Sequence, residues 1–247
     1  MTGAARPAPA ADDPTRLPAP TAVPRLADRR PAALPGPVDY SWLHAPAAQV
    51  AETARALLGW ELSAGGVRLR LTEVEAYAGT GEDPASHAHR GPTPRTRVMF
   101  GPAGRAYTYF VFGVHWCLNV VCGADGEAAA VLLRAGEAVD GLDLARERRG
   151  EVPDRDLARG PARLVVALGI TAEANGTSMV DGTGPLLLTP PTRPVAPSAV
   201  SAGPRVGVAA AHDVPWRYWI TGDPTVSAYR RHVPRRRGGS PQQSRVG

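Results

Sequence analysis

The sequence predicts one mixed α/β domain of the α+β kind, built on a curved, mainly antiparallel β-sheet. Three observations carry that expectation. Runs rich in β-branched and aromatic residues recur at Val67–Tyr77, Arg105–Phe112, Val114–Cys122 and Ala128–Ala135, with Gly-containing turn signals between them. Helical spacing of apolar residues is confined to short segments at 46–60, 140–149 and 162–168. No regular strand–helix–strand alternation and no Gly-x-Gly-x-x-Gly run is present, which argues against a doubly wound parallel sheet.

Taken in order, residues 1–37 hold nine prolines with Ala and scattered charge and read as a disordered arm. In the first helical segment Val50, Ala54, Leu57 and Leu58 share a face, and Gly59 suits a stop. Gly65-Gly66 turns the chain into a strand over Val67–Tyr77, with Val67, Leu69 and Leu71 on one face and Arg68 and Arg70 on the other. Unbroken alternation would put Glu73, Glu75 and Tyr77 on the leucine side. Two carboxylates on a core face are costly unless they line a cavity or find partners. A long Gly/Pro/Thr-rich loop spans 78–104, and such loops inside compact domains tend to carry function.

Arg105–Phe112 and Val114–Cys122 read as a hairpin turning at Gly113, followed by an apolar strand over Ala128–Ala135. Short strands are expected at Leu186–Leu188, Arg205–Val208 and Tyr218–Thr221, and residues 230–247 form a disordered Arg-rich tail. The folded domain is thus expected over 38–229.

Charge narrows the function classes. All 28 basic residues are Arg, so a lysine Schiff base is excluded. The formal net charge of +5 is concentrated in the ends; residues 38–227 carry 17 Arg against 20 acids. A polyanion partner is compatible with this balance but not demanded by it. No apolar run is long enough for a membrane span, and no leader-like apolar stretch opens the chain, so a cytoplasmic protein is expected. Cys117 and Cys122 read as small buried hydrophobes rather than ligands.

The chemistry-bearing residues concentrate between Glu73 and Glu137. Glu73 and Glu75, two apart on a strand, can face one site, where apolar surroundings would tune a carboxylate for acid/base work; an ion-paired strand is the plainer alternative. Glu75, Asp83, His87 and His89 could form a metal site, although no HExxH or paired CxxC supports it. Tyr107 and Tyr109 share a face with Val111, which ordinary sheet packing also explains. His115 fits a half-buried structural place on the hairpin. Phe112, at the predicted hairpin tip, is better placed to wedge into a partner than to fill a core. Arg90, Arg95 and Arg97 sit among small hydroxyl residues, suited to phosphate contact or to plain solvation.

Several motifs in one order resemble the alkyladenine (3-methyladenine) DNA glycosylases. They are Glu73-Val-Glu75-Ala-Tyr77, Asp83-Pro-Ala-Ser-His87-Ala-His89-Arg90-Gly91, Thr93-Pro-Arg-Thr-Arg97, Tyr107-Thr-Tyr109, Gly113-Val-His-Trp-Cys117-Leu-Asn119, Val131-Leu-Leu-Arg134, Gly160-Pro-Ala-Arg163-Leu and Arg205-Val-Gly-Val. The resemblance covers about Val38 to Tyr229. It implies a cofactor-free, monofunctional, monomeric enzyme that flips damaged purines from duplex DNA, with a hairpin inserted into the duplex, and hydrolyses the N-glycosidic bond. Matched by position, Glu75 is the general base, and Arg134 helps hold the nucleophilic water or a flanking phosphate. Tyr77, His87 and Tyr109 form the walls around the flipped base, and Asn119 disfavours the guanine amino group. Phe112 fills the gap in the duplex, where relatives often carry Tyr. Two other readings stay open. A non-catalytic lesion binder would lack a competent carboxylate, and a metal-dependent hydrolase would lose activity to a chelator.

Overall fold

The computed structural model describes residues 36–111 and 113–233. The arm expected over 1–37 and the tail over 230–247 lie almost entirely outside these residues, and so does Phe112.

Among the described residues, eight antiparallel-paired strands and three α-helices make one mixed α/β domain, as the sequence predicts. Helix α1 (Val50–Ala56) leads into the hairpin of β1 (Glu61–Ala64) and β2 (Val67–Tyr77). Gly65 and Gly66 make its two-residue turn with φ of 54° and 80°. Only glycine takes two such angles cheaply, and a Cβ at Gly65 would come within 2.4 Å of the Leu168 carbonyl oxygen. Strands β3 (Ala106–Val111) and β4 (His115–Cys122) pair as the expected hairpin, and β5 (Ala129–Asp140) runs five residues beyond the expected end. Helices α2 (Leu142–Arg149) and α3 (Pro161–Leu168) follow, α3 stopped by Gly169 in the left-handed conformation. Strands β6 (Leu186–Thr189), β7 (Val200–Gly203) and β8 (Arg217–Ile220) complete the sheet. The segment 205–208, expected to be a strand, is a loop, while β1 and β7 had no clear signal in short mixed sequences.

The strand order is β3-β4-β5-β2-β1-β6. The long β2 carries β1 along its first residues and β8 along Glu73–Glu75, so one edge serves two strands in succession. Leu69, Leu71, Val74, Ala76, Val131 and Leu133 form the main core with α1 and α3. A smaller cluster of Ala88, Met99, Tyr107, Val121, Ala128 and Ala130 joins the long loop to β3–β5.

The alternation along β2 does not run unbroken, which corrects one expectation. Leu71 pairs with Gly136, Glu73 with Ala135 and Val74 with Leu133. Thr72 on β2 and Arg134 on β5 are therefore extra residues, and each strand bulges. The core-facing series Val67, Leu69, Leu71 passes to Val74 and Ala76. Glu73, Glu75 and Tyr77 are thereby turned away from the leucine side, where the two carboxylates, both still buried, meet hydrogen-bond donors and arginines that offset the cost of desolvation.

Candidate active site

A cavity of about 580 Å³ opens where β2, β3, β4 and β5 meet the long loop and the segment 206–210. All six cavity residues named from the sequence line it: Glu75, Tyr77, His87, Tyr109, Asn119 and Arg134. Glu75 and Tyr77 come from β2 past its bulge, Tyr109 from β3, Asn119 from β4 and Arg134 from the bulge of β5.

Glu75 is fully buried. Its Oε2 accepts a 2.9 Å bond from the Tyr77 hydroxyl, and its Oε1 accepts one of 2.6 Å from the Val206 backbone N–H. A guanidinium nitrogen of Arg134 lies 3.4 Å from Oε2. Burial works to lower the pKa of Arg134, but the charges of Glu75 and Glu73 outweigh it and keep the guanidinium fully charged. Burial, with the Glu75 charge added, drives the Tyr77 hydroxyl well above the usual phenol range, so it stays a donor.

Glu73 does not line the cavity. It is fully buried and accepts four hydrogen bonds, from Arg134 Nε, Arg217 Nε, and Ser227 N and Oγ. Burial would raise its pKa; the Arg134 and Arg217 charges and the Ser227 bonds overcome that and hold it below its ordinary 4.5. With a folded pKa below the unfolded one, the unfolded state binds the extra proton, so stability is present above about pH 4.5 and is lost as pH falls through the folded value. Urea titrations at pH 6 and pH 3.5 are expected to show this acid loss in the native chain and a smaller one in Glu73→Gln. Equal losses would contradict the assignment.

The aromatic side of the cavity is ordered from outside. His87 stands exposed at the mouth, its ring edge-on to Tyr109 at 4.6 Å, with Nδ1 3.1 Å from the Tyr107 hydroxyl. Packing against the tyrosines desolvates the imidazole and the Arg95 charge adds to this, so its pKa is lowered and the ring is neutral at neutral pH. Burial, followed by the Cys117 thiol it contacts, pushes the Tyr109 hydroxyl well up. Tyr107, buried against the second cluster, also accepts a 3.0 Å bond from Asn119 Nδ2 through its carbonyl, which fixes the amide at the cavity floor.

Asp83 and Arg205 fix the His87 loop. Both are buried, and the guanidinium donates to both carboxylate oxygens, at 2.6 and 2.8 Å, and to the Ala76 carbonyl at 2.9 Å. Asp83 also accepts from the backbone N–H groups of Ala78 and Ala85. Arg205 lies 4.7 Å over the Tyr77 ring, so Tyr77 sits between it and the cavity. With Asp83 committed in this way, no group of three or more His, Cys, Asp or Glu that could hold a metal ion occurs among the described residues.

Sequence reasoning missed two parts of the site. The wall at Val206–Ala210 contributes small side chains and one backbone donor to Glu75, a place in the site that the Arg205-Val-Gly-Val motif did not indicate. His115 is exposed at the cavity edge rather than half-buried. The hairpin β3–β4 turns beside the cavity, since Val111 and His115 line it.

The site thus joins one fully buried carboxylate to an aromatic-walled cavity. Residues 44–224 match the family model described as methylpurine-DNA glycosylase. A Frankia casuarinae protein named "Putative 3-methyladenine DNA glycosylase" is 51% identical over 196 residues, covering 76% of this chain and 91% of its own. Proteins of the same name from Streptomyces avermitilis and Mycobacterium tuberculosis are 53% and 50% identical, covering 70% and 72% of this chain and 82% and 88% of theirs. The chain belongs to the methylpurine-DNA glycosylase family. No helix among the described residues is long and apolar enough to cross a membrane.

Proposed function

We propose that this protein is a monofunctional DNA-repair glycosylase that removes alkylated or deaminated purines, such as 3-methyladenine, 7-methylguanine and hypoxanthine, from duplex DNA. The observation that carries the reading is the buried Glu75 carboxylate, held by Tyr77 and Val206 beside Arg134 in an aromatic-walled cavity. Extruding a nucleotide from the stack costs a few kcal/mol. Stacking on aromatic faces returns about 1–3 kcal/mol per base in comparable single-strand cases. Tyr77, His87 and Tyr109 supply those faces, and Asn119 reads the base edge with its remaining polar atoms.

Glu75 takes a proton from the attacking water as the C1′–N bond breaks. The bonding electrons leave with the purine, and the water oxygen forms the new bond to C1′. The same carboxylate stabilises the oxocarbenium-like sugar between these events, while Arg134 orients the water or a flanking phosphate. An alkylated purine is already a cationic leaving group, whereas hypoxanthine needs more help. No cofactor enters this scheme. With no lysine in the chain, the lysine Schiff base used for strand cleavage is excluded.

Labelled duplexes carrying each lesion test the proposal when scored for abasic sites with and without alkali. Cleavage only after alkali is expected. Strand cleavage without alkali, or no abasic site with any lesion, would overturn it.

The hairpin serves to keep the duplex open, with Phe112 inserted in the gap. Phe112→Ala should slow excision from duplexes more than from single strands carrying the same lesion. Equal losses on the two substrates would count against a wedge.

A further inference from the structure

Only one of the two neighbouring glutamates faces the cavity, and the other holds the groups behind it. Glu73 Oε1 accepts from Arg134 Nε and Arg217 Nε, both at 2.7 Å, and from Ser227 Oγ at 2.9 Å. Its Oε2 accepts the Ser227 N–H at 2.7 Å. Arg217 also donates to the Ser227 carbonyl at 2.7 Å, and a second nitrogen of Arg134 reaches Ser227 Oγ at 3.3 Å. Both oxygens of this carboxylate are thus engaged, Oε1 by three donors and Oε2 by one.

One guanidinium serves both glutamates. Arg134 turns its Nε to Glu73 and leaves another nitrogen 3.4 Å from Glu75. The geometry depends on the two bulges, which bring Glu73 and Arg134 together behind the cavity wall. Glu73, Glu75, Arg134 and Arg217 are all buried and amount to two negative and two positive charges. Truncating one member of such a set leaves an uncompensated buried charge.

We infer that Glu73, with Arg217 and Ser227, is a positioning group that sets the orientation of Arg134 toward Glu75 and so governs the rate of the chemical step. This rests on the proposed roles of Glu75 and Arg134. It also gives β8 and the segment through Ser227, which lie outside the cavity, an indirect part in the reaction through Arg134. A long buried guanidinium with only the Glu75 contact would have several rotamers open to it. The bond to Glu73 fixes Nε, and the planar fork then dictates where the remaining nitrogens point. Arg217 balances the second negative charge, so Arg134 need not be shared equally between the carboxylates. Ser227 closes the ring with both its backbone and its hydroxyl.

The test compares Glu73→Gln, Arg217→Gln and the charge-balanced double variant with the native chain and Glu75→Gln. Single-turnover purine release, lesion-duplex Kd and Tm are measured on the same preparations. Glu73→Gln should release purine about 10–100-fold more slowly with Kd within about 3-fold, and the double variant should recover at least about 5-fold of that loss. A native rate in folded Glu73→Gln, or a double-variant loss equal to the product of the single losses, would overturn the proposal. If Glu73→Gln does not fold, Ser227→Ala carries the test. It should be about 3–10-fold slower at unchanged Kd, and a native rate would overturn the proposal. Absent purine release by the native chain, or a native rate in Glu75→Gln, would instead remove the underlying reading of the site.

Discussion

Replacing Glu75 by Gln is expected to slow purine release by about 10²–10⁴-fold, the range for loss of a general base. Glutamine keeps the size of the side chain and one of the two acceptor oxygens: it can still accept from the Val206 N–H, while the Tyr77 hydroxyl, which donates to the other carboxylate oxygen, turns to accept from the amide nitrogen. It cannot accept a proton from water, and it brings no negative charge to an oxocarbenium-like sugar. The cavity walls are untouched, so binding of a lesion duplex should stay within a few fold of native. Single-turnover kinetics and a binding titration on one preparation separate these effects. Native-like turnover would refute the assignment of the base, and lost binding with lost turnover would point to a collapsed site.

Breaking the Asp83–Arg205 pair should have the largest effect on stability. Both side chains are essentially inaccessible, at 1% exposure each. Leaving one of two such partners unpaired costs about 3–5 kcal/mol. Asp83→Asn and Arg205→Met should each lower the unfolding free energy by about that amount in urea titrations. The double variant should lose clearly less than the sum, because the second substitution removes the charge that the first left stranded. A loss under about 1 kcal/mol in both single variants would contradict a pair of this kind. The damage should reach the site through two routes: the loop that carries His87 is tied through Asp83, and the Tyr77 ring lies over Arg205.

The sheet was largely legible because its signals are local. Turn glycines marked the hairpins, and period-two patterns marked the long strands. The likeness in motif order named Glu75, Tyr77, His87, Tyr109, Asn119 and Arg134, which the fold draws into one cavity. The orientation of Glu73 and Glu75 was not legible. It depends on bulges at Thr72 and Arg134, and neither residue carries the glycine signature that some bulges show. Pairing between strands separated by about sixty residues creates them, and no single-strand pattern encodes that. Arg205 misled for a related reason. Its apolar neighbours resemble a short strand, yet the segment is held by the Arg205 ion pair and by the Val206 bond to Glu75 rather than by a ladder. Tyr107 illustrates a residue with both readings at once, packed in an apolar cluster and bonded to His87.

If the proposed function holds, a damaged purine leaves the duplex and enters the cavity in front of Glu75. A crystal structure of the Glu75→Gln variant on a duplex containing one hypoxanthine tests this most directly. The base is expected to lie extruded between Tyr77, His87 and Tyr109, its edge at Asn119, with its sugar C1′ facing residue 75. A base still stacked in the helix, or one bound away from this cavity, would contradict it.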